Sequence, residues 1–334
     1  MMSWRPIRPA ELEECLSLSP KSMGDEIVGR ARAVAAWHQL RRSRSFRAVV
    51  IESDVPIKGH RIVGFAANVF VSASFAEREV ADPQPGVNAR LISSIASGDD
   101  VVLTAKQLAY ENTQGCLHLI VVQPGSMPAV LTREERQDVI RQVSLANLAC
   151  FDGYRVRQVL MEVTSTTEIE YAKSLQVWKL LSTLEDYHRR NPGNSWNRDR
   201  ALFAIDFAGG RSFEVTGGHN REPILGLRNS DQELLEAALR GATDIELSVE
   251  LGLKLPALKK RWASVFNRVA VAKPDLLPGF DDNLDRQTRG PQKKHRLLAY
   301  VREHPEELRP FLHAQTSRRG ASRQSSSSSP SLRK

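Results

Sequence analysis

Six carboxylates lie between Asp231 and Glu250, against a single cation, Arg240. After Glu250 the charge inverts: Lys254, Lys259, Lys260, Arg261, Arg268 and Lys273 follow, with no acid before Asp275. Cations gathered on one short segment can neutralise phosphates, a chemistry that needs charge and reach but no nucleophile. A second residue type with chemical potential is Glu162, in RQVLMEV, a strand carboxylate that could act as a base through water beside a cleft.

Other chemistries lack their residues. The eight histidines show no i,i+3 or i,i+4 pairing and there is no CxxC, so no metal site is expected. Neither GxxxxGK[ST] nor GxSxG occurs, which removes the phosphate-loop and hydrolase readings. No catalytic or cofactor-binding residue, and no cofactor, is expected. Cys15, Cys116 and Cys150 are odd in number and far apart, as suits reduced thiols. The 334 residues carry a net charge of +8 with 41% hydrophobic content, enough length for two domains and enough apolar mass for a core. No apolar run approaches the roughly 20 residues of a membrane span. The stretch MMSWRPIRPAELEE turns acidic instead of entering an apolar segment, so a cytoplasmic protein with no membrane partner is expected.

The basic segment needs helices to present it. SDQELLEAALRG places Ser230 as a cap with Glu233 three residues on, and Gly241 as the stop. Thr243 caps a second helix to about Leu251, and Gly252 supplies a turn. Pro256 suits a first helical turn, and Leu258, Trp262, Val265, Phe266 and Val269 form a stripe. Two short helices joined by a glycine turn, the second basic, make a helix-turn-helix pattern.

The stretch SDQELLEAALRGATDIELSVELGLKLPALKKRWASVFNRV resembles the LuxR-type helix-turn-helix. Glu233, Gly241, Ile245, Leu251, Gly252, Leu258 and Val269 fit its framework, and Lys259 stands at its recognition-helix lysine. Ala257 and Leu255–Pro256 depart from the pattern, and KPDLLPG interrupts the expected dimerisation helix. The resemblance implies a transcription regulator bound to double-stranded DNA, with helix 255–269 in the major groove. Lys254, Lys260, Arg261 and Arg268 would then contact phosphates and Lys259 the base edges. A nucleoid-associated protein, a homodimer and an unidentified effector are the corresponding expectations.

Upstream, strands and helices alternate. FRAVVIES (46–53) and RIVGFAANVFVS (61–72) read as a hairpin around DVPIKGH, and 73–115 as a surface excursion with helical pieces. CLHLIVV (116–122) is a buried strand, and Thr132 with Glu135 is a capping box before a helix to 154. A strand at 155–165, a helix at 167–184 and a strand at 200–209 complete the α/β series. This order, with the opening WRPIRPAELEECLSL, resembles the GNAT acyltransferase fold over 1–208. That family's [RQ]xxGx[GA] loop would hold coenzyme A, yet QPGSMPAVLTREER keeps Gln123 and Gly125 without a second glycine, and Pro128 removes a donor. Its thiolate-protonating tyrosine aligns with Tyr171 in EYAKSLQV, with Gln176 where glycine is expected.

The expectation is a GNAT-like α/β domain (1–208) that senses or dimerises and is not an enzyme. A linker (209–223), a LuxR-like all-α domain with a terminal helix (224–313) and a disordered basic Ser-rich tail (314–334) follow. The alternative is an acyl-CoA-dependent N-acetyltransferase with an appended helical module.

Overall fold

The computed structural model describes residues 2–18, 28–122, 131–164, 166–176, 178–183, 185–186, 189, 200–207, 221–277 and 290–312. The loop 123–130, most of the 209–223 linker and the tail from 314 lie outside the described residues. The chain divides into two compact units, Met1–Asn220 and Arg221–Lys334.

The first unit is built on seven strands in the order β1-β2-β3-β4-β5-β7-β6. They are β1 (Met2–Pro6), β2 (Phe46–Ile57), β3 (His60–Val71), β4 (Leu117–Val122), β5 (Val156–Val163), β6 (Lys179–Thr183) and β7 (Ala201–Asp206). Every neighbour pair is antiparallel except β4/β5, which is parallel. The β2–β3 hairpin is longer than the sequence suggests, because Ile57 pairs with His60 and only Lys58 and Gly59 turn. Both have positive φ, 47° and 89°, and such a two-residue turn matches the right-handed twist of the strands it joins.

The strands are rich in β-branched residues and bury both faces. One face presents Val50, Phe65, Val69, Ile120, Leu160 and Leu202 to helices α1 (Leu12–Ser17), α2 (Arg30–Arg41), α3 (Ala73–Ala81) and α4 (Val87–Ser97). A further helix, α5 (Ala105–Gln114), precedes β4. The segment 73–115 is thus no surface excursion: Phe75, Val87, Leu91 and Ile92 are enclosed in the core. Each such side chain contributes about 1.5–3 kcal/mol by leaving water. On the opposite face, Val49, Ile51 and Ala66 meet Val139, Val143 and Ala146 of α6 (Arg133–Phe151). The capping box is present there: Thr132 N–H donates to Glu135 at 2.8 Å, and Glu135 N–H to the Thr132 hydroxyl at 3.2 Å.

The helix expected over 167–184 ends early. Helix α7 spans Thr166–Ser174, and Gln176 takes a φ of 55°, which stops the helix. The following residues form β6, which completes the sheet beside β7. The apolar run through Leu180 and Leu181 fits either period, and sheet pairing decides it.

In the second unit the described elements are helical: α8 (Asn229–Leu239), α9 (Asp244–Glu250), α10 (Leu255–Ala272) and α11 (Gly290–Glu303), with 3-10 turns at Pro274–Leu276 and Pro305–Leu308. The first cap falls two residues before Ser230: Arg228 N–H donates to Asp231 at 3.0 Å. Leu234, Leu235, Leu247, Leu258, Trp262, Val265 and Val269 form its core with Leu297, Val301 and Leu308.

Candidate active site

The parallel pair β4/β5 breaks an otherwise antiparallel sheet. Pairing runs from Leu117↔Val156 to Val121↔Met161 and then ceases. Beyond it Val122 keeps its partner Ala67 on β3, while Glu162 and Val163 keep Leu202 and Ala201 on β7. Each strand is therefore paired on its outer side at its carboxyl end. An extended ligand with amide groups could pair with backbone at the carboxyl end of this parallel pair.

Glu162 is the first β5 residue past the last pair, and it is 1% exposed. It is neither solvated nor idle. Its carboxylate accepts Gly86 N–H at 2.5 Å and Asn88 N–H at 3.3 Å, and the Arg200 guanidinium lies 3.4 Å away. Two of the amides that open α4 are thereby satisfied by a side chain from the sheet. The preceding turn is held from the other side as well. Arg90 donates to the carbonyls of Gln84 at 2.8 Å and Pro85 at 2.9 Å while paired with Glu79. Gly86 sits at φ 97°, a conformation open to glycine. Asn88 Oδ1 is enclosed without a hydrogen-bond partner among the described residues.

The sequence reading singled out Glu162 but missed Arg200, Arg90, Glu79, Gly86 and Asn88. Only the turn signal in ADPQPG was visible there; the side-chain pairing depends on strand register. Tyr171 lies half-buried on α7, and its side chain makes no hydrogen bond or ion pair among the described residues. Gln123, Gly125, Met127 and Pro128, which stand where a diphosphate cradle would be, lie outside the described residues. At the helix that follows, the Thr132 amide is already taken by Glu135, and Glu134 adds a second acid to the first turn.

The basic segment sits in the second unit. Lys254 precedes α10, while Lys259, Lys260 and Arg261 lie in its first turns, the two lysines exposed. Arg268 instead faces the enclosed Asp231 at 3.3 Å. The acids opposite are also engaged within the unit: Lys294 reaches Asp244 at 3.1 Å, and Arg240 pairs with Glu250. Of the six cations after Glu250, Arg268 and Lys273 are thus ion-paired within the unit, while Lys254, Lys259 and Lys260 are exposed.

No protein-family model and no curated protein matches the chain. Among solved structures it is similar to FeeM, an N-acyl amino acid synthase from uncultured soil microbes, at 12% identity and a TM-score of 0.34, covering 64% of this chain and 94% of that one. An acetyl-CoA complex of NAA60 from Arabidopsis thaliana is similar at 16% identity and a TM-score of 0.37, covering 63% and 100%. A spermidine N-acetyltransferase chimera of Vibrio cholerae SpeG and hSSAT is similar at 8% identity and a TM-score of 0.33, covering 61% and 94%.

The proteins so named are acyltransferases, and the first unit carries a mixed α/β sheet flanked by helices. They correct the functional expectation. The reading as a non-enzymatic LuxR-type DNA-binding transcription regulator is overturned. That reading rested on exposed lysines and a helix-turn-helix spacing, which several small helical modules share. Nucleoid association likewise has no support; no described helix is long and apolar enough to cross a membrane.

Proposed function

We propose that the chain is an acyl-CoA-dependent N-acyltransferase whose donor lies at the carboxyl ends of the parallel strands β4 and β5. The observation that carries this is the end of the ladder at Val121↔Met161, with both strands still paired outward. The residues present fit the amide-bearing arm of an acyl thioester. Backbone groups beyond Val121 and Met161 would bind and orient it.

In the reaction an amine nitrogen attacks the thioester carbonyl, a C–N bond forms, the C–S bond breaks and a thiolate leaves. Tyr171 is the residue assigned to protonate that thiolate. Glu162 is not assigned as the base, because its oxygens already serve two amides and a guanidinium. The amine therefore gives up its proton to water. Substrates named for the similar proteins, amino acids and spermidine among them, mark an amine as the class of acceptor to try first. The test is calorimetric titration of the full-length protein with acetyl-CoA. Saturable one-to-one binding is expected; absence of heat at millimolar acetyl-CoA would remove the reading.

A further inference from the structure

We infer that Asp206 sets the tautomer of His118 through Gln158, so that a surface carboxylate on β7 decides where a buried imidazole on β4 carries its proton. The device is independent of the acyltransferase chemistry.

The three side chains form one row across the sheet. His118 pairs with Gln158, and Gln158 with Asp206, in the registers of β4/β5 and β5/β7. Two residues along the same strands stand Ile120, Leu160 and Ala204, core residues of the face covered by α1 to α4, so the row shares that face. A polar row in an apolar face must satisfy itself, and it does so as a chain of hydrogen bonds. Gln158 Nε2 donates to Asp206 Oδ1 at 2.5 Å, and His118 Nδ1 lies 3.3 Å from Gln158 Oε1. Asp206 is exposed, Gln158 half-buried and His118 only 3% exposed, so the chain leads from water into the core. Its direction follows from donor chemistry. An ionised carboxylate only accepts, while an amide donates at one end and accepts at the other. Asp206 therefore takes the Gln158 nitrogen in a charge-assisted bond and turns the amide oxygen toward the ring. The reverse orientation would set two oxygens against each other at Asp206. An oxygen facing the ring requires the proton on Nδ1. Burial holds the imidazole below its ordinary 6.5, so at neutral pH the ring is uncharged and Nε2 keeps its lone pair. Glu77 of α3 and Arg157 of β5 also act on the ring by their charge, without a hydrogen bond to it among the described residues. Loss of the charge at Asp206 releases the amide to turn, and the ring can then carry its proton on Nε2. A change at the surface becomes an exchange of donor and acceptor inside the sheet.

The test is long-range proton–nitrogen correlation of the full-length protein, labelled at its histidine ring nitrogens and held at neutral pH. The His118 signals are identified among those of the eight histidines by their absence in His118→Asn. Wild type should show a single neutral form of His118, protonated on Nδ1. In Asp206→Asn the new amide can donate or accept, so Gln158 can face either way and the Nε2–H form should appear beside the first. Gln158→Leu removes the acceptor, and the Nε2–H form, favoured by free histidine, should predominate. Protected amides in β4, β5 and β7 show that the sheet of each variant is intact. Asp206→Asn, at an exposed position, decides alone if Gln158→Leu does not fold. A wild-type ring protonated on Nε2, or on both nitrogens, would overturn the inference. So would the wild-type tautomer persisting unchanged in either folded variant.

Discussion

The carboxylate of Glu307 accepts the backbone N–H of Leu225 at 3.0 Å, joining the two ends of the second unit. Its other oxygen takes Ile224 N–H, also at 3.0 Å, and Gln232 donates to the Glu307 carbonyl at 3.2 Å. The 3-10 turn after α11 therefore closes the helical unit. Glu307→Ala removes an acceptor from two amides and should cost about 2 kcal/mol. Faster amide exchange in α8 and α11, with the sheet unaffected, is the expected signature.

Arg268 and the exposed lysines of α10 should separate cleanly. Arg268→Ala leaves the Asp231 carboxylate, 4% exposed, without its guanidinium and should destabilise the unit by about 2 kcal/mol, less than a fully buried pair because Arg268 is 26% exposed. Lys259→Ala with Lys260→Ala should change stability by no more than about 0.5 kcal/mol. Urea midpoints of the three proteins check this; equal midpoints would deny Arg268 its structural role.

Gly64 marks a close approach of α6 to the sheet. A methyl group there would stand 2.9 Å from Val139 Cγ1 and 3.1 Å from Ile51 Cγ1. Gly64→Ala should lower stability by about 1–3 kcal/mol, since neither branched neighbour can withdraw without moving its element. An unshifted thermal midpoint would show that α6 gives way freely.

This glycine was legible in the sequence only as a weak point in VGFAAN, because the partner that forbids a side chain comes from a helix more than seventy positions on. Locally encoded features were readable. Thr132–Glu135 announces its capping box within four residues and Thr243 its cap, and both are made, whereas the box expected at Ser230–Glu233 falls at Arg228–Asp231. The strand Lys179–Thr183 was read as helix, since its leucines fit both periods and only the edge of β7 selects one. The site shows the same division. Glu162 could be singled out by type and strand position, but its employment by Gly86, Asn88 and Arg200 comes from strand register and a returning turn. The basic run after Glu250 misled because the partners of Arg268 and Asp244 lie on other helices.

Tyr171 offers a kinetic test of the proposed chemistry. Tyr171→Phe keeps the ring and removes the proton donor. In a thiol-release assay kcat should fall about 100-fold with little change in KM, the size expected for a positioned acid. An unchanged kcat would mean that water or another group protonates the thiolate.

The two units should respond to acid in opposite directions, and two residues carry the contrast. Burial pushes the His118 imidazole below its ordinary 6.5, against the Gln158 amide 3.3 Å away. The unfolded chain then binds a proton that the folded one refuses, so this contribution is present above 6.5 and is lost as pH falls through the folded value. Burial pushes the Glu307 carboxyl above its ordinary 4.5, against the amides of Ile224 and Leu225. There the folded chain keeps a proton that the unfolded one releases. That contribution is present below 4.5 and is lost as pH rises through the folded value. Lowering pH from about 7 to 5 should weaken the sheet, and His118→Asn should lessen that weakening. As pH falls through the folded value of Glu307 toward 4.5 the helical unit should gain protection, and Glu307→Gln should remove the gain. Amide exchange at several pH values, corrected for intrinsic rates, reads both units in one sample. Parallel responses of the two, unaffected by either substitution, would show that neither group governs stability.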